Sequence, residues 1–219
     1  MSYKNKIAKR AAEEILPGQV INLGIGLPTL AMEYLPENMP VMIHSENGIL
    51  GMGKPCENGR EDRNLIDAGG SYPEVVTGAS FFDSALSFSI VRGGRLDTAF
   101  LGTLEVAENG DLANWIIPGK FSPGIGGGME LAQKAKRLII TTTHTTRKGE
   151  AKILKRCTLP LTAKECVDRI ITELAVVDVT EAGLELKELA EETTLDEVIQ
   201  KTGAPLIVPH DREASFPRF

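Results

Sequence analysis

The chain is poor in the residues that cross-link small folds and bind metal ions. It has 3 cysteines and 3 histidines among 219 residues. Cys56, Cys157 and Cys166 are odd in number and lack C-x-x-C spacing, so we expect reduced thiols and neither a disulfide framework nor a zinc site. His144 and His210 have no partner at metal-ligand spacing and are expected to be ordinary core or surface residues. The sequence therefore predicts no bound metal.

Long apolar runs and an excess of positive charge are also missing. No run approaches the roughly 18 apolar residues that a membrane span needs, and residues 1–20 contain no apolar signal-peptide core. A net charge of −6 argues against a nucleic-acid partner, because phosphates would be repelled. We expect a cytoplasmic protein that binds neither a membrane nor nucleic acid.

What the chain does have is enough apolar sequence for one large core. Hydrophobic residues make up 42% of it and charged residues 25%. Together with the length, this predicts a single domain over residues 1–219, with a short polar tail from about residue 203. We find neither an internal repeat nor a linker long enough to separate two domains.

Helical and strand patterns alternate along the whole sequence. Helices are predicted up to Pro17-Gly18 and over residues 28–35, 84–91, 130–136, 164–170 and 195–201. Strands are predicted over residues 20–23, 41–44, 98–101, 115–117, 138–142 and 174–179. This alternation predicts an α/β protein with an open sheet, and the glycines that follow the strands are where ligands bind in such sheets.

One carboxylate is placed in an unusual way. Glu46 comes directly after the predicted strand 41–44 and enters a stretch with glycines at 48, 51 and 53. The strand fixes the direction of the side chain, and the glycines allow close approaches that a Cβ would block. Such an acid, beside exposed backbone amides, has the setting that a covalent glutamyl intermediate requires.

The residues Ser45–Gly48 resemble the SENG signature of the β subunit of family I (3-oxoacid) CoA-transferases. The resemblance extends from about Lys4 to Thr202. Seven further stretches carry it: Asn22–Thr29, Asp67–Gly69, Gly78–Ser84, Arg92–Gly94, Ala113–Lys120, Gly126–Gly127 and Cys157–Thr162. It implies a mixed sheet flanked by helices, of the kind shared with some sugar-phosphate isomerases.

The resemblance also implies an activity and a site. The enzyme would move CoA between an acyl-CoA and a short carboxylic or 3-oxo acid of the acetoacetate type, with adipate-type 3-oxoacids and butyrate as alternatives and succinyl-CoA as one option for the donor. Glu46 would be the nucleophile that carries CoA as a thioester, and the amide of Gly127 would bind the oxyanion. Substrate or CoA contacts are expected from the remaining site residues, Asn47, Gly48, Gly69, Gly70 and Gly126. CoA would be a substrate, with no cofactor tightly bound.

The family further implies a companion α subunit. Because the chain begins just before the first predicted helix and stops soon after the last, we expect that companion to be a separate chain in an α2β2 assembly. Three positions depart from the pattern of relatives. His44 stands where many have Gln, Gly70 where single-chain relatives have Lys, and Gly128 where relatives often have Ala.

Three other functions remain open from the sequence. Gly24-x-Gly26 after a strand, with Glu46 about 20 residues on, imitates a dinucleotide-binding oxidoreductase, but Pro28-Thr29 occupies the place of the third glycine. A ligand-sensing domain on the same sheet would need no nucleophile. An acyl-CoA hydrolase would let water attack the same covalent intermediate.

Overall fold

The computed structural model describes residues 2–120, 124–209 and 216–219. Helices within them are α1 (Tyr3–Ala12), α2 (Ser84–Arg92), α3 (Gly128–Lys134), α4 (Leu195–Lys201) and a 3-10 helix (Pro28–Tyr34). The strands are β1 (Val20–Leu23), β2 (Met42–Ser45), β3 (Ile49–Pro55), β4 (Pro73–Phe81), β5 (Thr98–Leu101), β6 (Glu105–Ala107), β7 (Leu112–Ala113), β8 (Leu138–Thr141), β9 (Ile153–Leu154), β10 (Arg169–Ile171), β11 (Ala175–Thr180), β12 (Gly183–Leu189) and β13 (Leu206–Ile207).

Ten of these strands form one sheet in the order β13-β12-β11-β10-β8-β5-β1-β2-β3-β4. The five central strands, from β10 to β2, are all parallel to their neighbours. On both sides the pairing turns antiparallel, at β2–β3 and at β10–β11. The other three strands form a second, smaller sheet in the order β7-β6-β9. The predicted α/β class with an open mixed sheet is confirmed.

The chain order of the central strands reverses beside β1. From β1 the chain continues to β2 on one side, and it returns to β5 on the other. In open α/β sheets, ligands bind at the carboxyl ends of strands where such a reversal occurs. The carboxyl end of β2 is Ser45, so Glu46 lies at this position.

Helices cover both faces of the large sheet, because its central strands are apolar on both. In β8, Ile139 faces the core under α1 and the 3-10 helix, while Leu138 and Ile140 face the core under α2, α3 and α4. Successive side chains of a strand point to opposite faces, so a continuous apolar run is what two-sided burial requires.

A buried cluster of ion pairs connects α1 and the residue Glu14 after it to the sheet. Arg10 donates to Glu188 of β12 from two nitrogens, each at 2.7 Å. Glu14 accepts hydrogen bonds from Arg10 and Arg169, and Arg169 also forms a bidentate ion pair with Asp178. Burial alone would raise the pKa of Glu14, but the charges of Arg169, Arg10 and Arg137 lower it below its ordinary value. The carboxylate therefore stays charged and paired.

Several predicted elements match the structure and two do not. The predictions for β1, β5 and α4 agree with the structure at both ends. The strand predicted over residues 115–117 is wrong, since Leu112–Ala113 pairs instead. The helix predicted over residues 164–170 is also wrong, because its last two residues belong to β10. The segment expected to be a polar tail includes β13, which pairs with β12, and the buried Phe216.

The glycine-rich segment after Glu46 is a strand, β3, and was not predicted as one. Its glycines serve close packing against β4: a Cβ on Gly51 would lie 3.0 Å from Ala79, and one on Gly53 would lie 3.1 Å from the carbonyl oxygen of Glu74. The register of β3 with β4 shifts twice along this stretch. Glycine in a strand often marks such an irregular, close approach.

None of the helices in the described residues combines the length and the apolar character needed to cross a membrane.

A substitution at Gly48 tests whether the turn between β2 and β3 requires glycine. Its φ is +123°, and an added Cβ would lie 1.9 Å from the carbonyl oxygen of Phe82. We expect Gly48→Ala to lower the free energy of unfolding by about 3 kcal/mol or more, from backbone strain and overpacking together. Urea denaturation measures the change.

The matched control is Gly102→Ala, where a Cβ would meet open space and φ is not positive. It should change the free energy of unfolding by less than about 1 kcal/mol. Equal urea midpoints for the two variants would contradict this account of the turn.

Candidate active site

Glu46 lies at the carboxyl end of β2 with its side chain partly buried. One carboxylate oxygen, Oε2, accepts a hydrogen bond of 3.2 Å from Nδ2 of Asn22, the third residue of β1. The pairing of β1 with β2 sets Asn22 directly opposite His44, two residues before Glu46. Two neighbouring strands thus fix where this carboxylate points.

The neighbours of Glu46 in the chain hold a loop beside it. Ser45 Oγ accepts from the backbone N–H of Ala68 at 3.0 Å, and Asn47 Nδ2 donates to the carbonyl of Ile66 at 2.6 Å. Within that loop, one oxygen of Asp67 accepts from the N–H groups of Gly69 and Ser71, each at 2.8 Å. The side chains on both sides of the carboxylate thereby anchor residues 66–71.

A cavity of about 280 Å³ opens next to Glu46. Three glycines from two segments, Gly24, Gly26 and Gly69, line it, and the loop 67–69 forms one wall. The remaining lining residues are Leu23, Ile25, Thr29, Met32, Ser45, Met52, Gly53, Pro55, Ser71 and Pro73. Glu46 and Asp67 are the acidic residues of this lining, and the other lining groups are largely apolar side chains and main chain, which is typical of a small-molecule site.

Gly127 packs against the carbon chain of Glu46. A Cβ at this position would lie 3.2 Å from Glu46 Cγ and 3.0 Å from the ring of Phe88. The φ of Gly127 is −81°, which any residue can adopt, so it is the space and not the backbone conformation that requires glycine here. The structure therefore brings the predicted oxyanion residue and the predicted nucleophile into contact range.

The other predicted site residues fall into two groups. Gly69 lines the cavity, and Asn47 holds the loop that walls it. Gly48 is buried against Phe82, while Gly70 and Gly126 have open space around them and positive φ values. Direct contacts of these five residues with a substrate remain predictions.

His44 is buried on β2 opposite Asn22 and was not predicted as part of the site. Its Nε2 lies 2.8 Å from Oγ of Ser87 on α2, and its Nδ1 lies 3.4 Å from Nδ2 of Asn22. Burial lowers the pKa of His44 to about 4, so the ring is neutral at ordinary pH. Sequence reasoning missed Asn22 and Ser87 as well; the available signal was one polar residue inside the apolar strand β1.

The second described histidine is also a core residue. His144 is fully buried, with Nδ1 3.0 Å from Thr172 Oγ1 and Nε2 2.9 Å from Thr202 Oγ1. Its pKa is lowered to about 4, mainly by burial, with a smaller contribution from Lys201. His210 lies outside the described residues. Within the described ranges, no group of three or more His, Cys, Asp or Glu side chains could hold a metal ion.

The surroundings of Glu46 differ from those of a dinucleotide-binding acid. In that motif a crossover helix follows the strand that carries the acid. Here β2 continues into β3, which runs antiparallel to it. The arrangement instead places a carboxylate, held through one of its two oxygens by an amide, in the lining of a cavity. That geometry suits attack on an electrophilic carbon.

Comparison with known proteins points in the same direction. The coenzyme A transferase family matches residues 4–201. The chain is 50% identical to the β subunit of a probable coenzyme A transferase of Bacillus subtilis (strain 168), over 94% of this chain and 95% of that protein. It is 48% identical to the B-type subunit of a probable succinyl-CoA:3-ketoacid coenzyme A transferase of the same strain, over 94% of this chain and 95% of that one.

The same fold occurs in a crystal structure of an acyl-CoA transferase from Escherichia coli O157:H7, a thioester complex with CoA. The TM-score is 0.77 at 21% sequence identity, and the match covers 100% of this chain and 43% of that chain. The present chain therefore spans less than half of that protein, while it spans nearly all of the two Bacillus subtilis relatives.

The neutral buried histidines predict how stability depends on pH. Unfolded histidines take up a proton near pH 6.5, whereas folded His44 and His144 resist it down to about pH 4. Between these values the unfolded state binds more protons, so the free energy of unfolding should fall as the pH falls. The expected slope is on the order of 1 kcal/mol per pH unit for each histidine.

Urea denaturation at pH 7, 6 and 5 measures that slope. His44→Gln and His144→Gln should each reduce it relative to the unsubstituted protein, because each removes one titrating group. If both variants keep the original slope, the two rings do not resist protonation as described.

Proposed function

The chain belongs to the coenzyme A transferase family, and we propose that it moves CoA between an acyl-CoA and a short carboxylic or 3-oxo acid through a covalent thioester on Glu46. It is a subunit of the β type, as its relatives are named over nearly their whole length. The observation that carries the mechanism is the carboxylate at the end of β2, held by Asn22 and packed against Gly127 beside the cavity.

The reaction begins with attack by a Glu46 carboxylate oxygen on the thioester carbon of the acyl-CoA. The C–S bond breaks, and CoA leaves as the thiolate with the bonding electrons. An acyl-glutamyl anhydride remains. The thiolate then attacks Cδ of Glu46, a new C–S bond forms, and the first carboxylic acid leaves as its anion. Glu46 now carries CoA as a thioester.

A second carboxylate reverses these steps. Its oxygen attacks Cδ of the Glu46 thioester and releases the thiolate, which then attacks the acyl carbon of the new anhydride. The new acyl-CoA leaves, and the Glu46 carboxylate is restored. Thioesters and anhydrides are close in free energy, so covalent storage divides one difficult transfer into smaller steps.

Each attack passes through a tetrahedral oxyanion that needs a hydrogen-bond donor. We assign the backbone N–H of Gly127 to the oxyanion on the acyl carbon, because Gly127 packs against Glu46. In the described part of the chain this N–H has no hydrogen-bond partner. One aimed amide is worth about 3–4 kcal/mol of transition-state stabilisation.

For the substrate, we propose a 3-oxoacid of the acetoacetate type as acceptor. The relative named for a succinyl-CoA:3-ketoacid coenzyme A transferase supports this class. The cavity of about 280 Å³ has room for a short acyl chain and not for the CoA nucleotide as well. The nucleotide would bind outside it, where its binding energy can drive the chemistry at Glu46.

The proposal includes a separate α subunit in an α2β2 assembly. Relatives of nearly the same length are named as subunits, and the chain of the acyl-CoA transferase with the same fold is more than twice as long. We expect the active site to be completed near the interface with that partner. The proposal also includes a cytoplasmic location, which the three unpaired thiols favour.

Removing the nucleophile tests the central step. Glu46→Ala in the assembled enzyme should reduce transfer from succinyl-CoA to acetoacetate to the uncatalysed level and leave the far-UV circular dichroism unchanged. The matched control, Glu37→Ala, removes an exposed carboxylate and should keep the original rate. Transfer by Glu46→Ala at a normal rate would refute the assignment.

Borohydride trapping tests the covalent intermediate. After incubation with an acyl-CoA, borohydride should reduce a thioester on Glu46 to a primary alcohol, and peptide mass spectrometry should locate it at that residue. Transfer without any modified peptide would reject the thioester. Release of free CoA and acid without an acceptor, as fast as transfer, would show a hydrolase on the same scaffold.

Two adjacent glycines separate the need for space beside Glu46 from helix stability. Gly127→Ala would push on Phe88 and Glu46, so kcat should fall on the order of 10²-fold through misplacement of the reacting groups. At Gly128, the first residue of α3, an added Cβ would make only ordinary contacts, 3.8 Å from Thr162 and 3.9 Å from Asn114. Gly128→Ala should raise the free energy of unfolding by about 0.5–1 kcal/mol and keep the rate.

Steady-state kinetics and urea denaturation of both variants give the answer. A Gly127→Ala enzyme with unchanged kcat would show that the space beside Glu46 is not needed for catalysis.

A further inference from the structure

Asn22 is a buried polar residue whose bonding is one-sided. Its side chain is 1% exposed. Nδ2 donates to Glu46 Oε2 at 3.2 Å and to the backbone carbonyl of His44 at 3.1 Å. Oδ1 is buried and has no hydrogen-bond partner among the described residues. Leaving a buried acceptor unpaired costs about 1–3 kcal/mol, so only the donor half of this amide is used.

From this arrangement we infer that Asn22 supplies the hydrogen bond that stabilises negative charge on the carbonyl oxygen of Glu46 itself. The inference rests on the proposed function and deepens it. Gly127 is assigned to the acyl carbon, whereas Asn22 serves the second electrophilic carbon of the cycle, Cδ of Glu46. A transfer enzyme of this kind needs both, because Cδ of Glu46 is attacked once in each half of the cycle, first by the thiolate and then by the second carboxylate.

The hydrogen bond also distinguishes the two oxygens of Glu46. Oε2 is held by Asn22, so Oε1 is the oxygen that attacks the acyl-CoA and becomes the bridge of the anhydride. When the thiolate adds to Cδ, the electron pair of the C=O bond moves onto Oε2, next to Nδ2. When the adduct collapses, the pair returns, the bond from Cδ to Oε1 breaks, and the acid leaves with Oε1.

His44 and Ser87 keep the amide in this orientation. The two hydrogens of Asn22 Nδ2 go to Glu46 Oε2 and the His44 carbonyl, and Nδ1 of His44 lies 3.4 Å from the same nitrogen. We therefore assign Nδ1 as the unprotonated ring nitrogen and Nε2–H as the donor to Ser87 Oγ. A positively charged His44 would present a second N–H towards Nδ2 and weaken the arrangement. Because burial keeps the ring neutral, His44 can hold the side chain of Asn22 in this orientation. We therefore treat His44 as a positioning residue for Asn22.

An amide suits this task better than the alternatives of similar size. Aspartate would place a second negative charge about 3 Å from Oε2, where like charges repel. Leucine would fill the space without a donor. Because leucine also removes the unpaired Oδ1, Asn22→Leu separates catalysis from packing: a structural role predicts lost stability, and a donor role predicts lost rate.

The test uses the assembled enzyme with Asn22→Leu, and with Asn38→Leu as an exposed control. Rapid mixing with succinyl-CoA, followed by mass measurement, gives the rate at which the Glu46 thioester forms. Asn22→Leu should slow it by about 10²–10³-fold, with KM for succinyl-CoA changed less than about 3-fold and the urea midpoint maintained. Asn38→Leu should match the original enzyme.

A spectroscopic measurement reports the hydrogen bond directly. Infrared difference spectra of the loaded enzyme should show the thioester carbonyl at a higher frequency in Asn22→Leu, because the donor is gone. Should Asn22→Leu fail to fold, Asn22→Ser, whose hydroxyl is too short to reach Oε2, is measured in the same way.

The outcomes separate the two claims. An Asn22 variant that forms the thioester at the original rate, with an unshifted carbonyl band, overturns the inference and leaves the proposed function standing. Variants that lose stability while keeping the rate per folded enzyme show a purely structural Asn22. If the original enzyme transfers CoA with no adduct on Glu46, the proposed function itself fails.

Discussion

The parallel pairing of β1 with β2 is the constraint on which the site depends. In that register Asn22 lies opposite His44, and Glu46 follows two residues later. A shift by one residue would turn every side chain of β2 to the other face. His44 would then leave Ser87, and the carboxylate would lose the amide of Asn22. The apolar residues on both faces of the two strands fix the register, so the core determines the geometry of the reactive oxygen.

Much of the central sheet was predictable because the signals are local. The apolar runs at β1, β5 and β8 are short and bounded by glycine or charged residues, and Thr194 with Glu197 marks the start of α4. Glu46 could be singled out for the same reason, since it follows a strand directly and precedes glycines. The family resemblance supplied the roles of Glu46 and Gly127, which spacing alone leaves open.

The errors arose where the deciding contacts are distant in the chain. Gly51 and Gly53 look like a loop, yet their lack of a Cβ lets β3 lie close to Ala79 and Glu74 in an irregular pair. The pattern over residues 164–170 has helical spacing, but β8 offers its parallel edge to β10 and the strand prevails. Asn22 was overlooked as a site residue because its role follows from a strand register that sequence patterns do not reveal.

The unpaired Oδ1 of Asn22 and the neutral ring of His44 both lower the stability of the fold. Both are unfavourable for folding: one leaves an acceptor unpaired, and the other excludes a proton that the unfolded chain would bind. Apolar residues at both positions would avoid these costs. Asn22 contacts Glu46 directly, and His44 contacts Asn22. In the ionic cluster under α1, by contrast, Arg10, Glu14, Arg169 and Asp178 all form ion pairs. At Asn22 and His44 these costs lie next to the carboxylate that must react, where a fold can gain function from them, whereas His144 shows that a neutral buried ring also occurs in the core without that role.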